Sequence, residues 1–134
     1  MTRIILLLFG FAAVGCATQS PVGAERPEVL RDVEGYAIAS CLTHQPQPLL
    51  KDQGDAWAAV IVQRMKGDIE ALSGIAEQVA HETASGDMAV IRNEAGPEPD
   101  KALPLLYCGE IIDKPAVRTA IQKALAELEP AYKP

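Results

Sequence analysis

Residues 4–14 form a short apolar run that directly follows Arg3 and is followed closely by a cysteine, Cys16. The run is too short to cross a bilayer, which takes about 20 apolar residues. A basic start and a short apolar stretch are instead typical of a secretory signal peptide. We therefore expect residues 1–15 to be removed during export and to contribute nothing to the fold.

The sequence Ala-Val-Gly-Cys at residues 13–16 is typical of a bacterial lipoprotein cleavage site. Cys16 would then carry several acyl chains, and two or more such chains anchor a protein stably to a membrane. The alternative is ordinary secretory cleavage near Gly15, without a lipid. Lipidation would place the protein in the cell envelope, facing the periplasm. We expect sorting to the outer membrane, because Ala17 is not the aspartate that often retains lipoproteins at the inner membrane.

The size and charge of the chain limit its partners. It has 134 residues with a net charge of −6, and loss of Arg3 with the signal leaves −7. What remains after cleavage is enough for one domain. Nucleic acid is a poor partner for so acidic a chain. The charge favours a basic protein partner, or it serves solubility alone.

The spacing of apolar residues after the signal predicts helices. Residues 16–27 are rich in serine, threonine, proline and glycine and read as a flexible tether, so the folded domain spans residues 28–134. Within this domain the apolar side chains recur every three or four residues, which is typical of helical faces. The faces comprise Val29, Val33, Tyr36, Ala37 and Cys41; Trp57, Ile61, Met65, Ile69, Leu72, Ile75 and Val79; Leu103, Leu106, Cys108, Ile111 and Ile112; and Val117, Ile121, Ala124, Leu125 and Leu128.

Prolines and glycines divide these helices. The two prolines of residues 44–48 predict a loop. From Asp55 the apolar spacing predicts one long helix, or two helices stacked end to end, with a bend at Gly67. Residues 86–101 predict a long exposed loop without strands. Asp113 is expected to cap the last helix, and Pro130 to end it. The fold class is thus all-α, a small single-domain bundle of four or five helices.

The cysteine count predicts one disulfide. With Cys16 acylated, Cys41 and Cys108 remain. In an oxidising compartment an even pair is most simply a disulfide. The alternative is two separate buried thiols.

Catalytic and metal motifs are absent from the sequence. The histidines are His44 and His81, neither of which belongs to a metal-binding pattern. We therefore expect neither enzymatic activity nor a metal or other cofactor. Trp57 is expected in the core, although it could anchor a partner.

Three short segments together resemble the type VI secretion amidase immunity proteins. They are Tyr-Ala-Ile-Ala-Ser-Cys-Leu at residues 36–42, Asp-Ala at 55–56 and Leu-Leu-Tyr-Cys at 105–108. The resemblance covers most of the folded domain. It implies a small helical envelope protein, commonly a homodimer, that binds a peptidoglycan-cleaving cysteine amidase and blocks its active-site cleft. Cys41 and Cys108 match the cysteine pair of the family.

The sequence departs from this family in its lipoprotein signal and in its proline-rich loops, so inhibitory residues are not transferred from the family. A segment that blocks a cleft needs protruding polar groups, and residues 87–94 are the best candidate, with Asp87, Arg92, Asn93 and Glu94 as contact residues. The alternative for this segment is a disordered connector. Two other functions stay open: a structural or adaptor lipoprotein of an envelope assembly, and an unrecognised enzyme of cell-wall metabolism.

Overall fold

The computed structural model describes residues 26–86, 88–94, 96–97 and 99–134. Within these residues the chain forms five α-helices and one two-stranded sheet. The elements are α1 (Glu28–Thr43), α2 (Pro48–Arg64), α3 (Ser73–Ser85), β1 (Val90–Ile91), β2 (Lys101–Ala102), α4 (Pro104–Gly109) and α5 (Pro115–Tyr132). Short 3-10 helices precede α3 (Ile69–Leu72) and α5 (Ile111–Asp113). The predicted all-α bundle is confirmed.

Helix α1 lies at the centre of the bundle and contacts all four other α-helices. Nine of its 16 residues are buried, and several of them are glycine, alanine or serine. Small side chains on more than one face allow neighbouring helices to approach from several directions. The remaining core comes from large aliphatic residues of α3 and α5 and of the segment between α4 and α5, including Ile75, Val79, Ile111, Val117 and Leu128.

Helix α2 packs mainly on α1, and the contact is unusually close at Gly54. A Cβ atom on Gly54 would lie 2.7 Å from the backbone oxygen of Ala39 and 2.8 Å from the backbone nitrogen of Thr43. Real Cβ atoms do not approach backbone atoms so closely. Glycine at this position therefore sets the distance between the two helices at the C-terminal end of α1.

An ion pair between a buried carboxylate and a partly exposed guanidinium fixes the other end of the α1 and α2 contact. The carboxylate of Asp32 in α1 is fully buried and accepts hydrogen bonds from Nε (3.3 Å) and Nη2 of Arg64 in α2. This hydrogen bonding to Asp32 is the main reason that the pKa of Arg64 is raised. A buried carboxylate that lost its partner would be strongly destabilising, so the pair also constrains how the two helices align.

Several predicted helix boundaries were wrong. Helix α2 starts at Pro48 instead of Asp55, because proline needs no N–H donor in the first turn. Lys114 occupies the N-cap of α5, whereas the carboxylate of Asp113 accepts a hydrogen bond from Arg118. Pro130 lies inside α5, where a proline close to the C-terminus disrupts little of the helix that precedes it.

The predicted bend at Gly67, whose φ angle is +92°, is confirmed, and it separates two helices instead of bending one, since α2 ends at Arg64 and α3 begins at Ser73. The prediction for Trp57 was wrong, because its side chain is 40% exposed at the edge of the α1 and α2 contact. No helix among the described residues is long and apolar enough to cross a membrane. The signal at residues 1–15, Cys16 and the tether up to residue 25 lie outside the described residues.

Candidate partner-binding surface

Residues 88–94 and 99–103, which we call the hairpin, connect α3 to α4. Their strands pair antiparallel, with Val90 opposite Ala102 and Ile91 opposite Lys101. Next to this pairing, the N–H of Leu103 donates a hydrogen bond to the carbonyl of Ala89 (3.0 Å). The strands contact chiefly each other, and Val90 and Ile91 are 47% and 55% exposed. The hairpin thus adds little to the core.

The structure places three of the four predicted contact residues together. Arg92, Asn93 and Glu94 directly follow β1 and are all exposed, whereas Asp87 lies outside the described residues. The backbone N–H of Asn93 donates to Oδ1 of Asp100 across the hairpin (3.2 Å). The prediction that residues 86–101 contain no strand was wrong, because the β-branched pair Val90 and Ile91 forms a short ladder with β2.

The base of the hairpin is held by Gly86 and Tyr107. The hydroxyl of Tyr107 in α4 donates a hydrogen bond to the carbonyl of Glu82 in α3 (3.0 Å). A Cβ atom on Gly86 would lie 2.2 Å from that hydroxyl and 2.6 Å from that carbonyl. The bond therefore joins the helix before the hairpin to the helix after it, and only glycine leaves room for it.

Burial and then the nearby charge of Glu82 raise the pKa of Tyr107. The native state thus keeps the phenolic proton at a pH where the unfolded chain has lost it, so stability falls as the pH rises above about 10. We expect Tyr107→Phe to reduce this alkaline loss. Urea unfolding at neutral pH and above pH 10 measures it, and Tyr36→Phe is the control. An unchanged pH dependence in Tyr107→Phe would contradict the assignment.

The predicted disulfide between Cys41 and Cys108 is confirmed. Their Cα atoms lie 5.4 Å apart, and both residues are fully buried. The bond joins the last turns of α1 to α4, which directly follows the hairpin. Covalent attachment therefore fixes α4, and with it one strand of the hairpin, to the central helix.

A buried amide covers the disulfide. The side-chain nitrogen of Gln45 donates to the carbonyl of Cys41 (3.1 Å) and lies 3.5 Å from the sulfur of Cys108. Its side-chain oxygen is buried and has no hydrogen-bond partner among the described residues. Gln45 thus links the loop before α2 to the disulfide that positions α4.

An apolar groove of about 390 Å³ lies next to the hairpin. It is lined by Gln47 and Leu50 at the start of α2 and by residues 101–106 of β2 and α4. Leu106 was predicted on the apolar face of its helix, but it is 47% exposed, and its neighbour Leu105 is 65% exposed. Only one side of this six-residue helix packs against the core, and that side is occupied by Tyr107 and Cys108.

The groove was not predicted from the sequence, because an exposed leucine and a buried leucine give the same apolar pattern. The run Leu103-Pro-Leu-Leu, with more apolar residues than one short helix can bury, was the available signal. Together the hairpin and the groove form one candidate surface for a protein partner.

Neither histidine belongs to the hairpin or lines the groove. His44 ends α1 and His81 lies in α3, and both are exposed. Within the described part of the chain, no three histidine, cysteine, aspartate or glutamate side chains group closely enough to hold a metal ion.

Comparisons with known proteins identify no relative of this chain. Neither the protein-family models, nor the curated proteins, nor the solved structures contain a match to this chain.

Proposed function

We propose that this chain is an envelope-located immunity protein that binds a peptidoglycan-cleaving amidase and blocks its active-site cleft with the hairpin. The observation that carries the proposal is an exposed hairpin with a polar end on a cross-linked base. The resemblance of residues 36–42 and 105–108 to amidase immunity proteins supports the same function.

The base of the hairpin suits an inhibitor because it is already ordered before binding. Ordering a loop on association costs free energy that reduces affinity. Here the disulfide of Cys108 and the hydrogen bond of Tyr107 hold the start of α4 next to the ends of α1 and α3. Binding then requires less additional ordering of the chain, so less free energy is lost on association.

The end of the hairpin carries groups of both charges. Arg92 supplies a guanidinium, and Glu94 and Asp100 supply carboxylates, all on exposed residues. A cysteine amidase cleft contains hydrogen-bond donors and acceptors arranged for a peptide substrate. Side chains of both signs can satisfy such groups, and none of them needs to take part in catalysis.

The proposed location fits the position of the hairpin. Lipidation at Cys16 would anchor the chain in the outer membrane, facing the periplasm. The anchor would attach through the tether to the start of α1. Helix α1 has 16 residues, so its two ends are roughly 24 Å apart at 1.5 Å per residue. The disulfide that holds α4 lies near the far end. The candidate surface would therefore lie at the end of the domain opposite the point where the tether attaches.

The hairpin is tested by changing Arg92→Ala together with Glu94→Ala in the mature chain, residues 16–134 with Cys16→Ser. The amidase is first captured from a lysate of the producing strain with the unchanged mature chain. We expect the double variant to bind it at least about 100-fold more weakly, which corresponds to about 2.7 kcal/mol. The melting temperature should be unchanged, because both side chains are exposed.

The matched control is Lys123→Ala with Glu127→Ala, which removes the same charges from exposed positions on α5. This control should bind as tightly as the unchanged chain. Equal affinity of the hairpin variant would contradict the role of the hairpin. Capture of envelope-assembly proteins without an amidase would instead indicate an adaptor lipoprotein.

A further inference from the structure

We propose that the apolar groove beside the hairpin binds a segment of the protein partner in which an apolar side chain is followed by a carboxylate. The identity of the partner depends on the proposed function, whereas the chemistry of the segment depends only on the groove. The hairpin would block the cleft, and the groove would hold the partner at a second point.

The walls of the groove define the apolar part of this segment. Leu50 and the leucines of residues 101–106 line it, and its volume of about 390 Å³ falls within the range of protein binding sites. Leu105 and Leu106 remain substantially exposed although both line the groove. Covering them with an apolar side chain would remove this surface from water.

The charge of the groove defines the acidic part. Lys101 lines it, and no acidic side chain does so among the described residues. The first turn of α2 also faces this region through Gln47 and Leu50. That turn contains no acidic residue and no capping side chain, so the positive end of the helix dipole is not neutralised. A local cationic site on an otherwise acidic chain favours a carboxylate.

The placement of the groove favours a protein segment over the membrane. The groove begins at Gln47, just before α2, which lies at the end of α1 opposite Glu28. An anchor at Cys16 would attach to the Glu28 end of the domain through the tether. The groove would then lie at the opposite end, accessible to a soluble partner in the periplasm.

The test uses two capped peptides, acetyl-Leu-Leu-Glu-Glu-amide and acetyl-Leu-Leu-Lys-Lys-amide, added to the mature chain with Cys16→Ser and its disulfide intact. Backbone NMR signals report the binding site. We expect the acidic peptide to shift the signals of residues 50 and 101–106 and to bind about fivefold more tightly than the basic one, as for a partly exposed ion pair. Lys101→Glu should reverse the preference, and Lys123→Glu on α5 should leave it unchanged.

Equal binding of both peptides, or shifts spread over the whole surface, would overturn the groove as a site. Stronger binding to phosphatidylglycerol vesicles than to the acidic peptide, with loss in Lys101→Glu, would overturn it in favour of a membrane contact. Binding to the captured amidase distinguishes the groove proposal from the proposed function. If Lys101→Glu binds the amidase as tightly as the unchanged chain, the groove proposal fails and the proposed function stands. If no amidase is bound but the peptide preference holds, the proposed function fails alone.

Discussion

Replacing Cys41 and Cys108 together by alanine is expected to lower the free energy of unfolding by about 4 kcal/mol, because the disulfide closes a long loop in the unfolded chain. The two cysteines are 67 residues apart, and the bond lies between fully buried positions. Without it, α4 is held to α1 by packing alone, so the base of the hairpin is expected to loosen as well.

Urea unfolding of the mature chain with and without a reducing agent measures this effect. The reducing agent should lower the urea midpoint of the unchanged chain and should not affect the double alanine variant. The hairpin can be followed in the same samples by hydrogen exchange at Leu103, whose N–H bonds to Ala89. A loss below about 1 kcal/mol would show that packing alone holds α4 in place, contrary to our interpretation.

Gly54→Ala is expected to destabilise the protein by about 2–3 kcal/mol, the upper part of the range for overpacking a well-packed contact. Alanine is intrinsically better than glycine inside a helix by about 1 kcal/mol. The new Cβ atom, however, would lie under 3 Å from backbone atoms of Ala39 and Thr43. Backbone atoms cannot rotate away, so α2 must move from α1. Thermal and urea unfolding both report the change.

The matched control is Gly74→Ala in α3, where a Cβ atom would meet nothing within 4 Å. The same substitution should there be neutral or stabilise by up to about 1 kcal/mol through helix propensity. Opposite signs at the two positions would establish the close contact between α1 and α2. A stabilising Gly54→Ala would show that the helices can separate without cost.

The sequence predicted the fold class because two of its signals do not depend on tertiary structure. The three-and-four spacing of Val29, Val33 and Ala37, or of Val117, Ile121 and Ala124, indicates helices wherever they pack. An even pair of cysteines indicated the bond between Cys41 and Cys108. Both predictions are confirmed.

The wrong predictions arose where the local spacing of apolar residues does not reflect how many other elements pack around a helix. The start of α2 was missed because only Gly54 and Ile61 are buried in this helix, so its first turn shows no inward face. Trp57 continues the apolar spacing, yet it lies at the edge of a helix that packs mainly on one neighbour. Exposure of this kind depends on how many elements surround a helix, which spacing does not reveal.

Of the candidate surface, only the hairpin was predictable from the sequence, and the groove was not. Polar residues between two helices marked Arg92, Asn93 and Glu94, and the structure places them on an exposed hairpin. The groove needs Leu50 and the leucines of α4, which are more than 50 residues apart in the sequence. Nothing local in the sequence indicates that these residues meet beside Lys101.

The most direct test of the immunity function is a titration of peptidoglycan cleavage by the captured amidase with the mature chain. We expect cleavage to stop near an equimolar ratio, and we expect the hairpin variant with Arg92→Ala and Glu94→Ala to inhibit only at a large excess. Full cleavage activity at a large molar excess of the unchanged, correctly disulfide-bonded chain would contradict the proposed function.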